Sequence, residues 1–153
     1  MKNCKLQSIL SLLWFIVCTH SYAQVNKFYD VTGPGKHTNF ELGIGPTGNL
    51  MYRVYYFGQE VTTWSELGFI MKGMEPGAKT IVKDTTQGSH NERFAWPLGE
   101  DDTITNNYNE LKLTCSVSTL QYNFIARVYD GSVAFRYEIP QQPAFGNNSI
   151  TKE

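Results

Sequence analysis

The chain has 153 residues, 41% hydrophobic, 14% aromatic and 18% charged, with 13 basic and 14 acidic side chains and a formal net charge of −1. That length holds one domain. A near-neutral balance with no basic patch excludes nucleic acid as a partner, and no block of like charge is long enough to read as disordered.

The first segment is a leader pattern. Lys2 and Lys5 give a positive start, an apolar run covers 6–18, and Ser21-Tyr22-Ala23 places small residues where a signal peptidase checks them. This predicts a secretory signal over residues 1–23, cleaved between Ala23 and Gln24, and hence a periplasmic or secreted location. The apolar run falls well short of the roughly 20 residues that span a bilayer, so no membrane span is predicted. A lipid-bearing Cys18 is disfavoured because Phe15-Ile16-Val17 lacks the small residues such a site needs. Residues 24–153 then carry 11 basic and 14 acidic side chains, a formal charge of −3. Cys115 is the one cysteine left, so there is no disulfide framework. It alternates within 113–117 and reads as a small buried hydrophobe. A thiol nucleophile would need a nearby His, and after cleavage only His37 and His90 remain.

The rest is β-rich with no convincing helix. Residues 38–44 alternate weakly, and Gly45-Pro46-Thr47-Gly48 is a turn cluster. The Tyr/Val-rich run 50–57 predicts a strand. Gly58-Gln59 predicts a two-residue link into a strand over 60–63. A strand is expected over 67–72, a loop over 73–77, a short strand over 80–84 and a polar, turn-rich stretch over 85–92. Three strands in meander order follow, over 111–119, 121–129 and 133–139, the last two joined by Asp130-Gly131, where Gly supplies the positive φ of a tight turn.

The faces of these strands indicate layers. Tyr122, Phe124, Ala126 and Val128 share one side of their strand, and Gln121, Asn123, Ile125, Arg127 and Tyr129 the other. Val133, Phe135 and Tyr137 oppose Ala134, Arg136 and Glu138 in the same way. One apolar and one mixed face per strand predicts a sheet packed on a second sheet: a mainly β, antiparallel β-sandwich. Arg127, Arg136 and Glu138 lie on the mixed faces, where cross-strand charge pairs would help fix register.

Three motifs in the last third carry a resemblance: Gly99-Glu100, Tyr108-Asn109-Glu110-Leu111 and Val133-Ala134-Phe135-Arg136-Tyr137-Glu138. In this order and spacing they resemble the N-terminal domain of glycoside hydrolase family 97, which contains bacterial retaining α-galactosidases and calcium-dependent inverting α-glucosidases. The likeness is weaker from Lys36 through the 50–60 hairpin and Ser65-Glu66-Leu67-Gly68. Two departures stand out. Phe94 takes a position usually held by Trp, Trp96 one held by Pro, and Pro97 has slipped by one. Asp130-Gly131-Ser132 replaces the usual Asp-Asp-Gly turn. The resemblance implies a galactose-mutarotase-like super-sandwich, incomplete in this chain, with catalysis in a barrel domain that it does not contain. Truncation within the sandwich is therefore expected, with exposed sheet edges.

Candidate sites follow. Glu100, Asp101 and Asp102 form the densest carboxylate cluster, a weak candidate cation site, although an all-protein calcium site recruits more ligands than one triplet. Its simpler reading is a solvated acidic loop, and no cofactor is predicted for the chain itself. Calcium is implied by the resemblance for complete α-glucosidase-type members. Glu100 and Glu110 are paired carboxylates of the general type glycosidases use, but the family places its catalysis elsewhere. Tyr108-Asn109-Glu110 reads as a turn where a strand begins, since Asn side chains bond local backbone. Asn109 and Glu110 are also candidates to face the barrel and a carbohydrate. Trp64, Trp96, Tyr55 and Tyr56 could stack on sugar rings or fill the core, with Trp64, beside a polar corner, expected to be the more exposed Trp. The leading expectation is a non-catalytic accessory domain giving structural support and carbohydrate contact, with the catalytic barrel and α-glycosides as partners. An independent carbohydrate-binding module and an active hydrolase domain are the alternatives.

Overall fold

The computed structural model describes residues 25–71, 73–97, 99, 102–143 and 150–152. Three antiparallel sheets are formed by β1 (Lys27–Thr32), β2 (Thr38–Ile44), β3 (Leu50–Tyr56), β4 (Gln59–Glu66), β5 (Ile70–Met71), β6 (Ile81–Ala95), β7 (Thr103–Val117), β8 (Leu120–Val128), β9 (Val133–Glu138) and β10 (Ile150–Lys152). The strand orders are β1-β2-β3-β4, β6-β7-β8-β9 and the small pair β10-β5. The two four-stranded meanders face each other as a β-sandwich. The predicted signal, residues 1–23, lies outside the described residues.

Turn chemistry sets the registers. Phe57 and Gly58 both have positive φ, 49° and 75°, as a two-residue link matching strand twist requires. The link is thus Phe57-Gly58, one residue earlier than expected, and β4 begins at Gln59. Gly131 has φ 86° at the β8–β9 turn, as the Asp-Gly signal predicted. Ser118, with φ 52°, opens a further two-residue link that pairs Val117 with Leu120 and, further along, Glu110 with Arg127.

The core is the inner face of both meanders. Phe40, Leu42 and Leu50 from one sheet meet Leu111, Leu113, Cys115, Tyr122, Phe124, Ala126 and Val128 from the other. Each fully buried large apolar side chain stabilises by about 1.5–3 kcal/mol relative to exposure. The predicted inner face of 121–129 is buried throughout, and Cys115, opposite Tyr122 on β7, is fully buried beside it. Polar ties join the layers. The Tyr122 hydroxyl lies 2.7 Å from Thr80 Oγ1 and accepts the Gly77 N–H at 3.2 Å. At one end two turns clasp each other: the Gly35 N–H donates to Asp130 Oδ1 at 2.6 Å and the Gly131 N–H to Thr38 Oγ1 at 2.9 Å.

Three local expectations are corrected. The 85–92 stretch is strand rather than turn, paired with β7 along its whole length. It is exposed on both faces, which removes the apolar alternation that marks a strand. Tyr108-Asn109-Glu110 lies mid-strand in β7, because β7 begins at Thr103. The strand expected over 67–72 shrinks to Ile70–Met71, with Leu67 and Phe69 hydrogen-bonding to Leu50 and Pro76 across the corner.

Candidate functional site

β7 sends alternate side chains to opposite faces, and this separates Asn109 from Glu110. Asn109 points inward. Its amide N–H donates to the Thr32 carbonyl at 2.7 Å, and its carbonyl accepts the Ser89 hydroxyl at 2.7 Å. Both ends of the side chain therefore tie β7 to β1 and β6.

Glu110 lies on the outer face with its cross-strand partner Arg127. Arg127 Nε donates to Glu110 Oε2 at 2.8 Å, and the guanidinium lies over the Tyr108 ring, 4.4 Å from its centroid. The Glu110 hydrogen bond holds Arg127 above its ordinary pKa, against the opposing effect of burial. Tyr108 is buried and also meets Tyr129 and His90, at 5.3 and 5.0 Å between centroids. The outer face of the second sheet thus carries a small cluster of Glu110, Arg127, Tyr108, Tyr129 and His90. Beside it a shallow depression is lined by Ile125, Arg127, Tyr129, Ala134, Phe135 and Arg136. Glu110 is thus engaged by Arg127 across the strand pair.

The two Trp candidates are placed the other way round from the sequence expectation. Trp64 is half-buried on the outer face of the first sheet, with the Arg53 guanidinium 4.6 Å from its ring. Arg53 also pairs with Glu41 at 2.5 Å and lies over Tyr55 at 5.0 Å. Trp96 is 45% exposed and meets Phe94 edge-on. It sits at the end of an arm, because β8 pairs with β7 only as far as Asn109, while β6 and β7 run on together to Ala95 and Thr103. Tyr56 is exposed and packs edge-on against Phe57.

Of the carboxylate cluster, Glu100 and Asp101 lie outside the described residues, and Asp102 is exposed. Among the described residues no three His, Cys, Asp or Glu side chains converge as metal ligands. No described helix is long and apolar enough to cross a membrane.

The reading of the residues missed Arg127 as the partner of Glu110. The alignment of 110 with 127 depends on a two-residue link at Ser118-Thr119, where local composition carries no turn signal. The reading missed the Arg53 stack because β4 carries register shifts that no periodicity rule reveals.

The fold is a two-sheet antiparallel sandwich in which Arg127 holds Glu110. Residues 31–153 match the family described as Glycosyl-hydrolase 97 N-terminal, and the chain belongs to that family. Its solved relatives include a Glycoside Hydrolase Family 97 enzyme from Pseudoalteromonas sp. strain K8, in complexes with panose and with acarbose. Each matches at 26% identity and a TM-score of 0.75, over 82% of this chain and 19% of that one. A beta-arabinopyranosidase matches at 20% identity and the same TM-score over 20% of its length, a likeness of fold. The chain spans about a fifth of the length of these solved relatives.

Proposed function

We propose that the chain is a non-catalytic accessory domain of an exported glycoside hydrolase, giving structural support beside a catalytic barrel. The observation that carries this reading is the match to the N-terminal family region, together with the engagement of both Asn109 and Glu110 inside the domain. Export rests on the leader pattern of residues 1–23. α-Glycosides are the substrate class proposed for the complete protein, in line with the panose and acarbose held by the Pseudoalteromonas enzyme. Calcium remains a proposal for complete α-glucosidase-type members.

A direct carbohydrate contact is the second reading, and the exposed Trp96 favours it, since an open indole face stacks on sugar rings. Two measurements test the pair. A chromogenic α-glycoside assay with added calcium should show no turnover; clear activity that disappears in Glu110→Gln would overturn the accessory reading. Titration calorimetry with maltose-type and α-galactoside sugars should give no specific heat. Specific binding abolished by Trp96→Ala would establish an independent module instead.

A further inference from the structure

Asp130-Gly131 is the one Asp-Gly pair in the sequence. Of the other four aspartates, Asp30, Asp84 and Asp102 precede Val31, Thr85 and Thr103, and Asp101 precedes Asp102. The difference bears on a reaction open to any aspartate. The backbone nitrogen of the next residue attacks the side-chain carboxyl carbon, and a side chain branched at Cβ crowds that nitrogen. Glycine leaves it bare and gives the backbone freedom to reach the ring geometry.

In the fold both reacting groups are engaged elsewhere. The nucleophile is the Gly131 nitrogen, whose N–H donates to Thr38 Oγ1 at 2.9 Å, and Thr38 is 2% exposed. The nitrogen sheds that proton as it attacks, which ends the bond to Thr38. The electrophile is held as well, since Asp130 Oδ1 accepts the Gly35 N–H at 2.6 Å. A Cβ placed on Gly35 would lie 2.6 Å from both carboxylate oxygens and 2.7 Å from the carboxyl carbon. The carboxylate therefore rests directly on the Gly35 backbone. Ring closure brings its carbon within bonding distance of the Gly131 nitrogen, a rotation that the Gly35 bond resists. The Tyr129 N–H to Ser132 carbonyl bond, 2.9 Å, holds the turn besides.

We propose that Asp130-Gly131 is a self-modification site, held dormant by the two bonds of the clasp and released when the clasp opens. The reaction balances with water alone. The Gly131 nitrogen bonds to Asp130 Cγ, and its proton and the carboxyl hydroxyl depart as water, leaving a five-membered succinimide. Water then adds to either ring carbonyl. Breaking the Cγ–N bond restores the aspartate. Breaking the bond from the Asp130 main-chain carbonyl carbon to the same nitrogen leaves an isoaspartate. Nothing is oxidised or reduced. The product carries its backbone through Cβ and Cγ, one carbon longer. The two-residue turn then loses its fit to the strand pair, and the clasp does not re-form. This inference does not rest on the accessory reading.

Incubating the chain in heavy-oxygen water tests it, in mildly acidic buffer where some carboxyl groups are neutral. Each passage through the ring takes one labelled oxygen into residues 128–136, which trypsin releases by cutting after Arg127 and Arg136. Chromatography of that peptide resolves aspartate from isoaspartate. The free peptide 128–136 should take up label at least about ten-fold faster than the folded chain, since only rare openings free the folded turn. Equal rates overturn the proposal, as does a free peptide that forms no isoaspartate. Gly35→Ala displaces the carboxylate, and Thr38→Val removes the hydroxyl acceptor. Each should raise the rate several-fold while the amides of Leu113 and Phe124 stay protected. If one variant loses that protection, the other carries the test, and the peptide comparison needs neither. Unchanged rates in a folded variant overturn the proposal. Label entering at Asp84 or Asp102 as fast as at Asp130 assigns the reaction to general unfolding and overturns it too. In the isomerised fraction the Gly35 amide should exchange at least about ten-fold faster than before; unchanged protection there would mean that the clasp survives, against the proposal.

Discussion

Asn109 shows how much one polar side chain can decide. It reaches two neighbouring strands with one amide, and its loss leaves the Thr32 carbonyl without its cap. Asn109→Ala should lower stability by about 2 kcal/mol, the order expected when a part-buried polar group loses its partner. The loss would be read as a shift in urea midpoint at unchanged slope. A second residue-scale effect concerns pH. Burial pushes the Cys115 thiol up to about 12 from 9.0 and the Tyr122 hydroxyl up to about 12 from 10.0. Both groups stay neutral when folded, whereas the unfolded chain ionises them at lower pH. Their contribution is therefore complete below pH 9 and is lost as pH rises from there toward 12. Urea midpoints should fall progressively across that window, and Cys115→Ala should flatten the first part of the fall relative to its own neutral value. A thiol reagent at pH 8 should label Cys115 only on unfolding.

The β6–β7 arm is the element whose behaviour departs most from the rest. Beyond Asn109 it is a two-stranded ribbon, and an isolated ribbon is marginal in water. Phe94 and Ile104 pair across it and stay 40% and 36% exposed. The amides of Phe94 and Ile104, which the Trp96–Asp102 hydrogen bond places in a bonded pair, should exchange at least about ten-fold faster than those of Leu113 and Phe124, because local opening there exposes little apolar area. Comparable protection would mean that the arm is held by something besides its own pairing. The same element marks how far sequence could be read. β8 and β9 were legible because one face buries Tyr122, Phe124, Ala126 and Val128 and the other does not, so a period of two is written in the residues. Residues 85–92 were illegible for the opposite reason, since both faces meet water and any polar residue serves. The Glu110–Arg127 pair lay between these cases, since its residues were visible but their meeting depended on a turn at Ser118 that local composition does not announce.

For the whole molecule, the balance between core and surface governs behaviour in solution. Phe28, Phe57, Val61 and Phe135 stay well exposed while the inner faces are fully packed, and domains of this size bury somewhat under 70% of their unfolded surface. The chain on its own should melt broadly and aggregate with rising concentration, as followed by calorimetry and light scattering. A sharp, reversible melt of a monomer would contradict that expectation. The clasp between the two turns has a consequence in time. Gly35 and Asp130 are 95 positions apart, so the fastening cannot close until almost all of the described chain is available. Hairpins near the start can collapse early, but they wait as unlatched halves for a late-arriving aspartate. Maturation should therefore be paced by that distant encounter, slow in the way that long-range topology makes it slow.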